Sequence, residues 1–297
     1  MNNIAEQFDA EGVSFSMKDH LMMIEIDNPF ASAVITTHGA SVLSYIPKQG
    51  VSAGQDLLWV SDEAIYDGSK PVRGGIPICW PWFGPGEEDG LPAHGFVRNR
   101  VWHLDAIHSH AEGSTEIVLV CDSDEATLAI WPHAFHLELR IEVGEKLSMS
   151  LITHNLNGYD LSITEAFHTY FSVSQADGIQ INGLEQSRVL NKLTHAAPCQ
   201  QSDPLVIASP LDNVYLNQTG RVRFEDKGWK RTIVIDKNHS DSSVVWNPGP
   251  EGVKSFADMK DDAWQSMLCV ESGNVLDNAV LVPSESKQVF SMILSVE

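Results

Sequence analysis

The stretch His136-Leu-Glu-Leu-Arg-Ile-Glu-Val143 alternates between apolar and polar residues without a break. Gly144-Glu-Lys146 follows, and apolar residues then return at every second position of Leu147-Ser-Met-Ser-Leu151. Period-two alternation puts the apolar side chains on one face of a strand, and a short glycine-containing connection lets the chain reverse. The stretch therefore predicts a β-hairpin with one buried face.

Strand-like runs recur along the rest of the chain. They lie near residues 21–26, 32–37, 56–60, 115–121, 179–184, 221–225, 231–236, 243–246, 267–271 and 288–296. Turn residues separate most of them at intervals typical of a β-sandwich rather than of alternating strands and helices. Only residues 255–265 carry a short helical pattern. The sequence predicts an all-β protein, one large antiparallel β-sandwich domain over residues 1–297.

The charge balance bears on the partners of the chain. Forty acidic residues against nineteen basic ones give a formal charge of −21. Nucleic acids and anionic membranes need a basic face, so neither is an expected partner, and an anionic substrate would need a local arginine cluster. The four cysteines show no CxxC pattern, and neither a signal peptide nor a long apolar run is visible. We expect a cytoplasmic protein, and a monomer.

A segment rich in Pro, Gly and aromatic residues, Arg73-Gly-Gly-Ile-Pro-Ile-Cys-Trp-Pro-Trp-Phe-Gly-Pro85, precedes His94-Gly-Phe-Val-Arg98. Pro fixes φ and removes a donor while Gly permits unusual backbone shapes, so neither a helix nor an ordinary strand is expected there. Aromatic faces suit the C–H faces of a sugar, and Arg suits a carboxylate or phosphate. A core-packing loop fits the residue types equally well. If the second motif is extended, His94, Phe96 and Arg98 point the same way.

A second aromatic motif, Glu165-Ala-Phe-His-Thr-Tyr-Phe-Ser172, is strand-like. In extended form its two Phe residues share one face, and His168 and Tyr170 share the other. If the Phe face packs on the core, His168 and Tyr170 turn toward an open groove. A hydrogen-bonded structural histidine is the alternative for His168.

Two acidic positions are candidates for a site. Met267-Leu-Cys-Val-Glu-Ser-Gly273 puts Glu271 at the end of an otherwise apolar strand. Partial burial there would raise the carboxyl pKa and make Glu271 a better proton acceptor near neutrality, whereas a carboxylate at a sheet rim would point into solvent. Asp212 and Asn213 come just before a short strand, where they would cap a turn or accept sugar hydroxyls, and the turn is favoured.

No motif for a metal or a nucleotide is present. The pairs His108-Ser-His110 and His133-Ala-Phe-His136 lack a nearby Cys or a His-Glu-x-x-His pattern, so the sequence predicts no metal. There is also no phosphate-cradling loop, dinucleotide fingerprint or Gly-x-Ser-x-Gly motif. We expect a protein without a cofactor.

Taken in order, these motifs, together with Trp246-Asn-Pro-Gly249, resemble those of the hexose-6-phosphate mutarotases from about residue 20 to 296. This group is the glucose-6-phosphate 1-epimerase branch of the aldose 1-epimerase family. The resemblance implies a galactose-mutarotase-like supersandwich with its site on a concave sheet face. It also implies an isomerase that interconverts the α and β anomers of D-hexose 6-phosphates, glucose 6-phosphate above all.

The resemblance implies a role for two residues in the chemistry. His168 would be the general acid that protonates the ring oxygen, and Glu271 the general base that takes the proton from the C1 hydroxyl. The ring opens to the free aldehyde, C1 rotates, and the roles reverse on closure. We expect Glu271 and the substrate phosphate to favour the protonated form of His168.

The resemblance also implies the substrate contacts. Arg73 and Arg98 would hold the phosphate, Asp212 would accept a sugar hydroxyl, and His94 would lie near the substrate. Fungal members of the branch tend to have Gln before that histidine, where this chain has Ala93.

Two other functions are compatible with the same motifs. A non-catalytic sugar-phosphate binder or regulator would not need both His168 and Glu271. An aldose 1-epimerase for neutral sugars would bind a substrate that offers the two arginines no anionic partner. Trp80, Trp82 and Phe83 are expected to support the loop that carries the first arginine more than to touch sugar.

Overall fold

The computed structural model describes residues 7–194 and 196–297. Antiparallel strands dominate these ranges and form sheets of four, nine, eight and two strands. The helices are short: α1 (Glu125–Ile130), α2 (Gly249–Gly252) and the 3-10 turns Val97–Asn99, Val253–Ser255, Ala263–Gln265 and Leu276–Asn278. None of the described helices has the length and apolar character needed to cross a membrane.

The four-stranded sheet comes first in the chain and pairs its strands in chain order. Its members are β1 (Val13–Lys18), β2 (Leu21–Asp27), β3 (Ala31–Thr36) and β4 (Ser41–Pro47). The register of β3 against β4 shifts between Val34 and Ile35, which is the position of a β-bulge.

The nine-stranded sheet contains the predicted hairpin. Its strands are β6 (His103–Ser109), β7 (Thr115–Asp122), β8 (Phe135–Val143), β9 (Leu147–Asn155), β13 (Gln180–Asn182), β16 (Leu205–Val206), β18 (Val222–Asp226), β19 (Arg231–Asn238) and β23 (Lys287–Val296). They follow the order β16-β13-β18-β19-β23-β9-β8-β7-β6. β8 pairs with β9 from Phe135 opposite Asn155 to Val143 opposite Leu147, so the hairpin is confirmed.

The eight-stranded sheet carries most of the polar motifs. Its strands are β5 (Ile78–Cys79), β11 (Glu165–Phe167), β12 (Tyr170–Ser172), β14 (Arg188–Asn191), β15 (Cys199–Gln200), β17 (Leu211–Leu216), β20 (Ser242–Asn247) and β21 (Met267–Asn274). The order is β15-β14-β17-β20-β21-β11-β5, and β12 pairs with β21 beside β11. β10 (Leu161–Ile163) and β22 (Val280–Val282) form the two-stranded sheet.

The main core lies between the eight- and nine-stranded sheets. Phe167 of β11 stacks on Phe290 of β23 with ring centroids 4.4 Å apart, and Phe171 of β12 meets Phe224 of β18 at 5.3 Å. All four side chains are fully buried. Burying each such side chain stabilises the fold by about 1.5–3 kcal/mol, so these pairs fix one face of β11 and β12 against the core. Their other face is free to form a site.

The predicted all-β antiparallel architecture is confirmed, and most of the predicted strands are present. Residues 56–60 are an exception, because only single bridges form there, Leu58 to Phe171 and Val60 to Gly74. Asp212 and Asn213 lie inside β17 rather than before it, because both pair with the neighbouring β20.

The predicted helix over residues 255–265 is wrong. The chain forms separate 3-10 turns at Val253–Ser255 and Ala263–Gln265. Phe256 takes an extended conformation with φ −101° and ψ 111°, which ends the first turn, and no side chain caps either turn. Tertiary contacts rather than the local helical pattern determine the backbone conformation here, since Met259 is buried between the two turns.

Candidate active site

A cavity of about 300 Å³ opens on the face of the eight-stranded sheet that points away from the main core. Its lining contains all six candidate site residues of the sequence, Arg73, His94, Arg98, His168, Asp212 and Glu271. The other lining residues are Phe83, Tyr170, Lys192, Val244, Trp246 and Phe256. A larger cavity of about 450 Å³ beside Trp59 and Ser174 has neither a histidine nor an arginine in its lining. The first cavity is therefore the candidate active site.

His168 and Glu271 form the closest acid–base pair in this cavity. The distance from His168 Nε2 to Glu271 Oε1 is 3.4 Å, and their side chains are 10% and 2% exposed. Glu271 lies in the middle of β21 opposite Val244 of β20, because the strand continues to Asn274 instead of ending at the carboxylate. The rim position is thus excluded, and Glu271 faces the cavity.

The local backbone explains why His168 faces Glu271. The motif is not one continuous strand: β11 ends at Phe167 and β12 begins at Tyr170. Between them the His168 N–H donates to Pro77 O (2.9 Å) and the Thr169 N–H donates to Phe167 O (3.0 Å). The predicted division of faces is nevertheless confirmed, since the Phe side enters the core while His168 stacks on Tyr170 at 4.8 Å and 14°.

Burial controls the protonation of the pair. Burial, followed by the neighbouring His94, Arg98 and Arg73, holds the pKa of His168 well below its usual value. Burial, followed by Asp212, raises the pKa of Glu271 well above its usual value. The expected rise for Glu271 is confirmed, but its expected support of a protonated His168 is outweighed by burial and the nearby cations.

Arg73 is held by groups that the sequence did not connect to it. Its Nε donates to Asp258 Oδ1 (3.3 Å), its Nη1 donates to the Tyr170 hydroxyl (3.3 Å), and its guanidinium lies 4.8 Å from the Phe256 ring centre. Asp258 also contacts Lys70 Nζ at 3.1 Å. Burial alone would raise the pKa of Asp258, but Arg73 and Lys70 lower it, so the carboxylate stays charged beside the arginine.

The segment that carries His94 and Arg98 is not extended, so the condition under which His94, Phe96 and Arg98 would point the same way is not met. His94 and Gly95 have φ of 63° and 72°, and Phe96 enters the main core instead of pointing with its neighbours. A Cβ at Gly95 would lie 1.8 Å from Trp80 O, so only glycine allows this approach. The turn still brings both polar side chains to the cavity. Arg98 Nη2 donates to the carbonyl oxygen of Ala93 (2.8 Å), so this position holds the arginine through its backbone.

His94 is a neutral neighbour of the acid–base pair. Its ring lies edge-on to His168 at 5.7 Å and to Phe83 at 4.7 Å. Burial, followed by Arg98, Lys192 and Arg73, lowers its pKa to about 3. His94 can therefore donate or accept a hydrogen bond without adding charge to the site.

Asp212 meets a cation that sequence reasoning missed. Lys192 Nζ lies 3.9 Å from Asp212 Oδ2, and the Lys192 N–H donates to Asp212 O (2.8 Å). Burial raises the pKa of Asp212, and Lys192 opposes this. Lys192 directly follows β14, a strand without clear alternation, so no local signal placed it beside β17.

The aromatic residues of the first motif divide into two groups. Trp80 is fully buried and its Nε1 donates to Thr153 Oγ1 (3.2 Å), while Trp82 Nε1 donates to Pro92 O (2.9 Å). Both support the loop, as expected. Phe83 differs from the expectation, because it lines the cavity.

Among the described residues, the cavity contains no group of three His, Cys, Asp or Glu side chains close enough together to hold a metal ion. Within residues 7–194 and 196–297, one group with such spacing exists, His136, Glu138 and His154, and it lies on the nine-stranded sheet. The cavity therefore offers acid–base groups and cations, which suits proton transfer on an anionic substrate.

A family model described as aldose 1-epimerase matches residues 22–293 of the chain. The chain belongs to this family. The match confirms the predicted class of enzyme, an isomerase of the epimerase type.

Relatives from bacteria and a plant agree with this assignment. A protein of Escherichia coli (strain K12) described as "Putative glucose-6-phosphate 1-epimerase" is 34% identical over 255 residues, 86% of this chain and 83% of the relative. A protein of Cenchrus ciliaris with the same description is 35% identical over 241 residues, 78% of this chain and 73% of the relative.

A solved structure agrees over almost the whole length. The crystal structure of a "putative mutarotase" from Salmonella typhimurium has a TM-score of 0.89 and 31% identity, covering 97% of this chain and 94% of that chain. The predicted mutarotase-like fold is confirmed.

Proposed function

We propose that this protein interconverts the α and β anomers of D-hexose 6-phosphates, with glucose 6-phosphate as the favoured substrate. The observation that carries the proposal is the His168–Glu271 pair, 3.4 Å apart in a cavity that also contains Arg73 and Arg98. An acid and a base serve the anomeric centre, and the arginines serve a phosphate. The description of the bacterial and plant relatives as glucose-6-phosphate 1-epimerases supports the same substrate.

In this mechanism His168 is the general acid and Glu271 the general base. Glu271 takes the proton of the C1 hydroxyl while His168 protonates the ring oxygen, so the C1–O5 bond breaks and the open aldehyde forms. Rotation about C1–C2 presents the other face of the aldehyde. On closure Glu271 returns a proton to the C1 oxygen, and His168 takes the proton from the C5 hydroxyl. Each group contributes roughly 10²–10⁴-fold to the rate, and the reaction needs neither metal nor nucleotide.

The phosphate would bind between Arg73 and Arg98. A chain with a formal charge of −21 repels a dianion at long range, so capture depends on this local group of cations. Asp258 and the Tyr170 hydroxyl hold Arg73, and the Ala93 carbonyl holds Arg98, so both guanidinium groups are oriented before substrate arrives. Lys192 adds a third cation at the cavity.

The substrate phosphate would also change the pKa of His168. Arg98 and Arg73 are among the groups that lower the pKa of His168. A dianion bound between these arginines offsets their charge and thereby raises the pKa of His168 toward the protonated form. In this way a phosphorylated sugar would assist its own ring opening, whereas a neutral sugar would leave His168 unprotonated.

The remaining cavity residues would orient the sugar. The Asp212 carboxylate would accept a hydrogen bond from a sugar hydroxyl, and His94 offers a neutral ring nitrogen for a second hydrogen bond. Trp246 and Phe83 provide apolar faces for the C–H groups of the ring.

Two alternatives make different demands on the cavity. A non-catalytic binder has no need of two buried titratable groups 3.4 Å apart, because burying them without function destabilises the fold. An epimerase for neutral sugars has no use for Arg73 and Arg98. We also propose that the chain forms one domain, since the main core combines Ile24 with Leu294. Residues 1–6 and 195 of the expected range 1–297 lie outside the described residues. The cytoplasmic location and the monomeric state stay predictions.

Magnetisation-exchange NMR on the two anomers tests the proposed substrate. We expect the protein to accelerate exchange of glucose 6-phosphate well above buffer, with a larger kcat/KM than for glucose. Equal acceleration of both sugars would exclude the phosphate preference, and acceleration of neither would exclude the proposed function.

A further inference from the structure

A second group of ligand-type side chains lies on the outer face of the nine-stranded sheet. His136 of β8 and His154 of β9 are directly opposite each other, and Glu138 follows two residues after His136 on the same face. The intervening Leu137 and its neighbour Leu139 are fully buried in the main core, so the group points outward. One ligand atom from each of the three residues lies within 4.8 Å of the others.

His136 is oriented in the way that metal-binding histidines usually are. Its Nδ1 lies 2.7 Å from Asp122 Oδ1 of the adjacent strand β7. A carboxylate on one ring nitrogen fixes the ring and leaves Nε2 to bind a cation, and such supporting carboxylates accompany most histidine ligands.

His154 has a nitrogen without a partner. Its Nε2 is shielded from solvent and makes no hydrogen bond to the described residues. The His154 ring meets the His136 ring edge-on at 5.2 Å, so the two rings are neighbours on the outer face of the sheet. A buried polar atom without a partner is unfavourable, and a cation would satisfy it.

Glu138 has an oxygen to contribute. Arg140 bonds to Glu138 Oε1 and also approaches Glu116 at 3.5 Å, so Oε2 of Glu138 remains available. On the other side, Lys287 of β23 is the register partner of His154, which places a flexible cation at the edge of the group. The carboxylate, and Asp122 behind His136, compensate the charge of a divalent cation.

We propose that His136, Glu138 and His154 bind one Zn²⁺, with water as the fourth ligand. Two imidazoles and one carboxylate are a ligand set that Zn²⁺ accepts. Ligand atoms around tetrahedral Zn²⁺ are roughly 3.4 Å apart, given bonds of about 2.0–2.2 Å, so small side-chain rotations close the site. The ion would link β8 to β9 on the outer face of the nine-stranded sheet. The main core separates it from the active site, so it would stabilise the fold without taking part in the reaction.

Zinc titration of the tag-free, metal-stripped chain tests the proposal. We expect one Zn²⁺ per chain by isothermal titration calorimetry, and a rise in Tm of roughly 5 °C at about 100 times the Kd. His154→Ala and Glu138→Gln should each abolish the rise. Asp122→Asn leaves all three ligands in place and should weaken binding roughly 10- to 100-fold.

Two matched variants locate the ion. His108 is an exposed histidine 3.9 Å from Glu116, so His108→Ala controls for a lone surface His–Glu pair and should bind Zn²⁺ like the parent. His168→Ala controls for binding at the active site and should also keep the stoichiometry. Loss of binding in either of these variants, or unchanged binding in Glu138→Gln and Asp122→Asn, would overturn the proposal. Glu138→Gln and Asp122→Asn decide the question even if His154→Ala fails to fold.

Discussion

His168 Nε2 and Glu271 Oε1 lie 3.4 Å apart because one strand, β21, pairs with both halves of a broken partner. β11 and β12 each pair with β21, and the Val270 N–H donates to Thr169 O (3.2 Å) across the break. The register of β21 is the same on both sides of the break, which puts His168 opposite Glu271 on one side of the sheet, while the Phe residues on either side hold the backbone on the core. The acid–base pair is therefore a consequence of strand pairing rather than of a flexible loop.

Arg98→Ala should weaken binding of the phosphorylated sugar selectively. A charge-assisted hydrogen bond contributes about 1.5–3 kcal/mol, so we expect KM for glucose 6-phosphate to rise roughly 10- to 100-fold. KM for glucose should change far less. Arg100→Ala is the control, because Arg100 lies in the same segment but pairs with Asp124 outside the cavity. Equal changes in KM for the two sugars would exclude Arg98 from phosphate binding.

The activity should be constant over a broad range around neutral pH. In the free protein, the lowered pKa of His168 and the raised pKa of Glu271 leave the pair with one proton, held mainly by Glu271, at pH values between the two pKa values. Bound phosphate would raise the pKa of His168 and so favour the proposed reactive form, with the proton on His168 and Glu271 ionised. At lower pH the pair gains a second proton and has no base, and at higher pH it loses the last proton and has no acid. We expect the acidic limb of kcat/KM to lie below the usual histidine value of about 6.5. An acidic limb at or above that value would contradict the assignment.

The substrate requires a control in that measurement. A phosphate ester titrates near pH 6, which would add a limb of its own. Glucose 6-sulfate carries an anion that does not titrate in this range, so its profile isolates the protein groups.

Gly95→Ala should destabilise the fold and displace Arg98, the proposed phosphate ligand. A Cβ there would lie 1.8 Å from Trp80 O, and the backbone has φ of 72°. We expect a loss on the order of 3 kcal/mol in the free energy of unfolding, measured by urea denaturation. Gly90→Ala is the control, since Gly90 has φ of 90° with nothing within 4 Å. That variant should lose only about 1 kcal/mol in the free energy of unfolding. An equal loss in the two variants would show that the close approach to Trp80 O is not the cause.

Glu165 should make the fold less stable as pH rises. It is fully buried, and burial raises its pKa to about 7 against the hydrogen bond from Asn274. A raised folded-state pKa gives stability that is present below the unfolded value of about 4.3 and is lost as pH rises through 7. Glu165→Gln should remove roughly 3 kcal/mol of this dependence between pH 5 and 8.

Urea unfolding at the two pH values measures the effect of Glu165. Glu225→Gln on the exposed face of β18 is the control and should leave the dependence unchanged. If Glu165→Gln and the parent lose the same stability between the two pH values, Glu165 is not the titrating group.

The strands and their buried faces could be predicted from the sequence because alternation is a local signal. The hairpin of β8 and β9 follows it, and so does the division of faces around His168. The candidate residues were found as well, since they lie in motifs that resemble those of one family. The helix α1 was not predicted, although its capping box between Asp124 and Thr127 is a local signal.

What the sequence did not predict depends on long-range contacts. The left-handed backbone at His94 and Gly95 exists because the chain passes close to Trp80. Lys192 reaches the cavity only because β14 pairs with β17. The lowered pKa of His168 follows from burial and from cations that are distant in the chain.

The most direct test of the account is the rate of α/β exchange of glucose 6-phosphate by magnetisation-exchange NMR, for the parent chain and for His168→Ala. The account predicts clear acceleration by the parent and a rate lower by roughly 10²-fold or more for the variant. Circular dichroism should show that both are equally folded. No acceleration over buffer by the parent, or equal acceleration by His168→Ala, would contradict it.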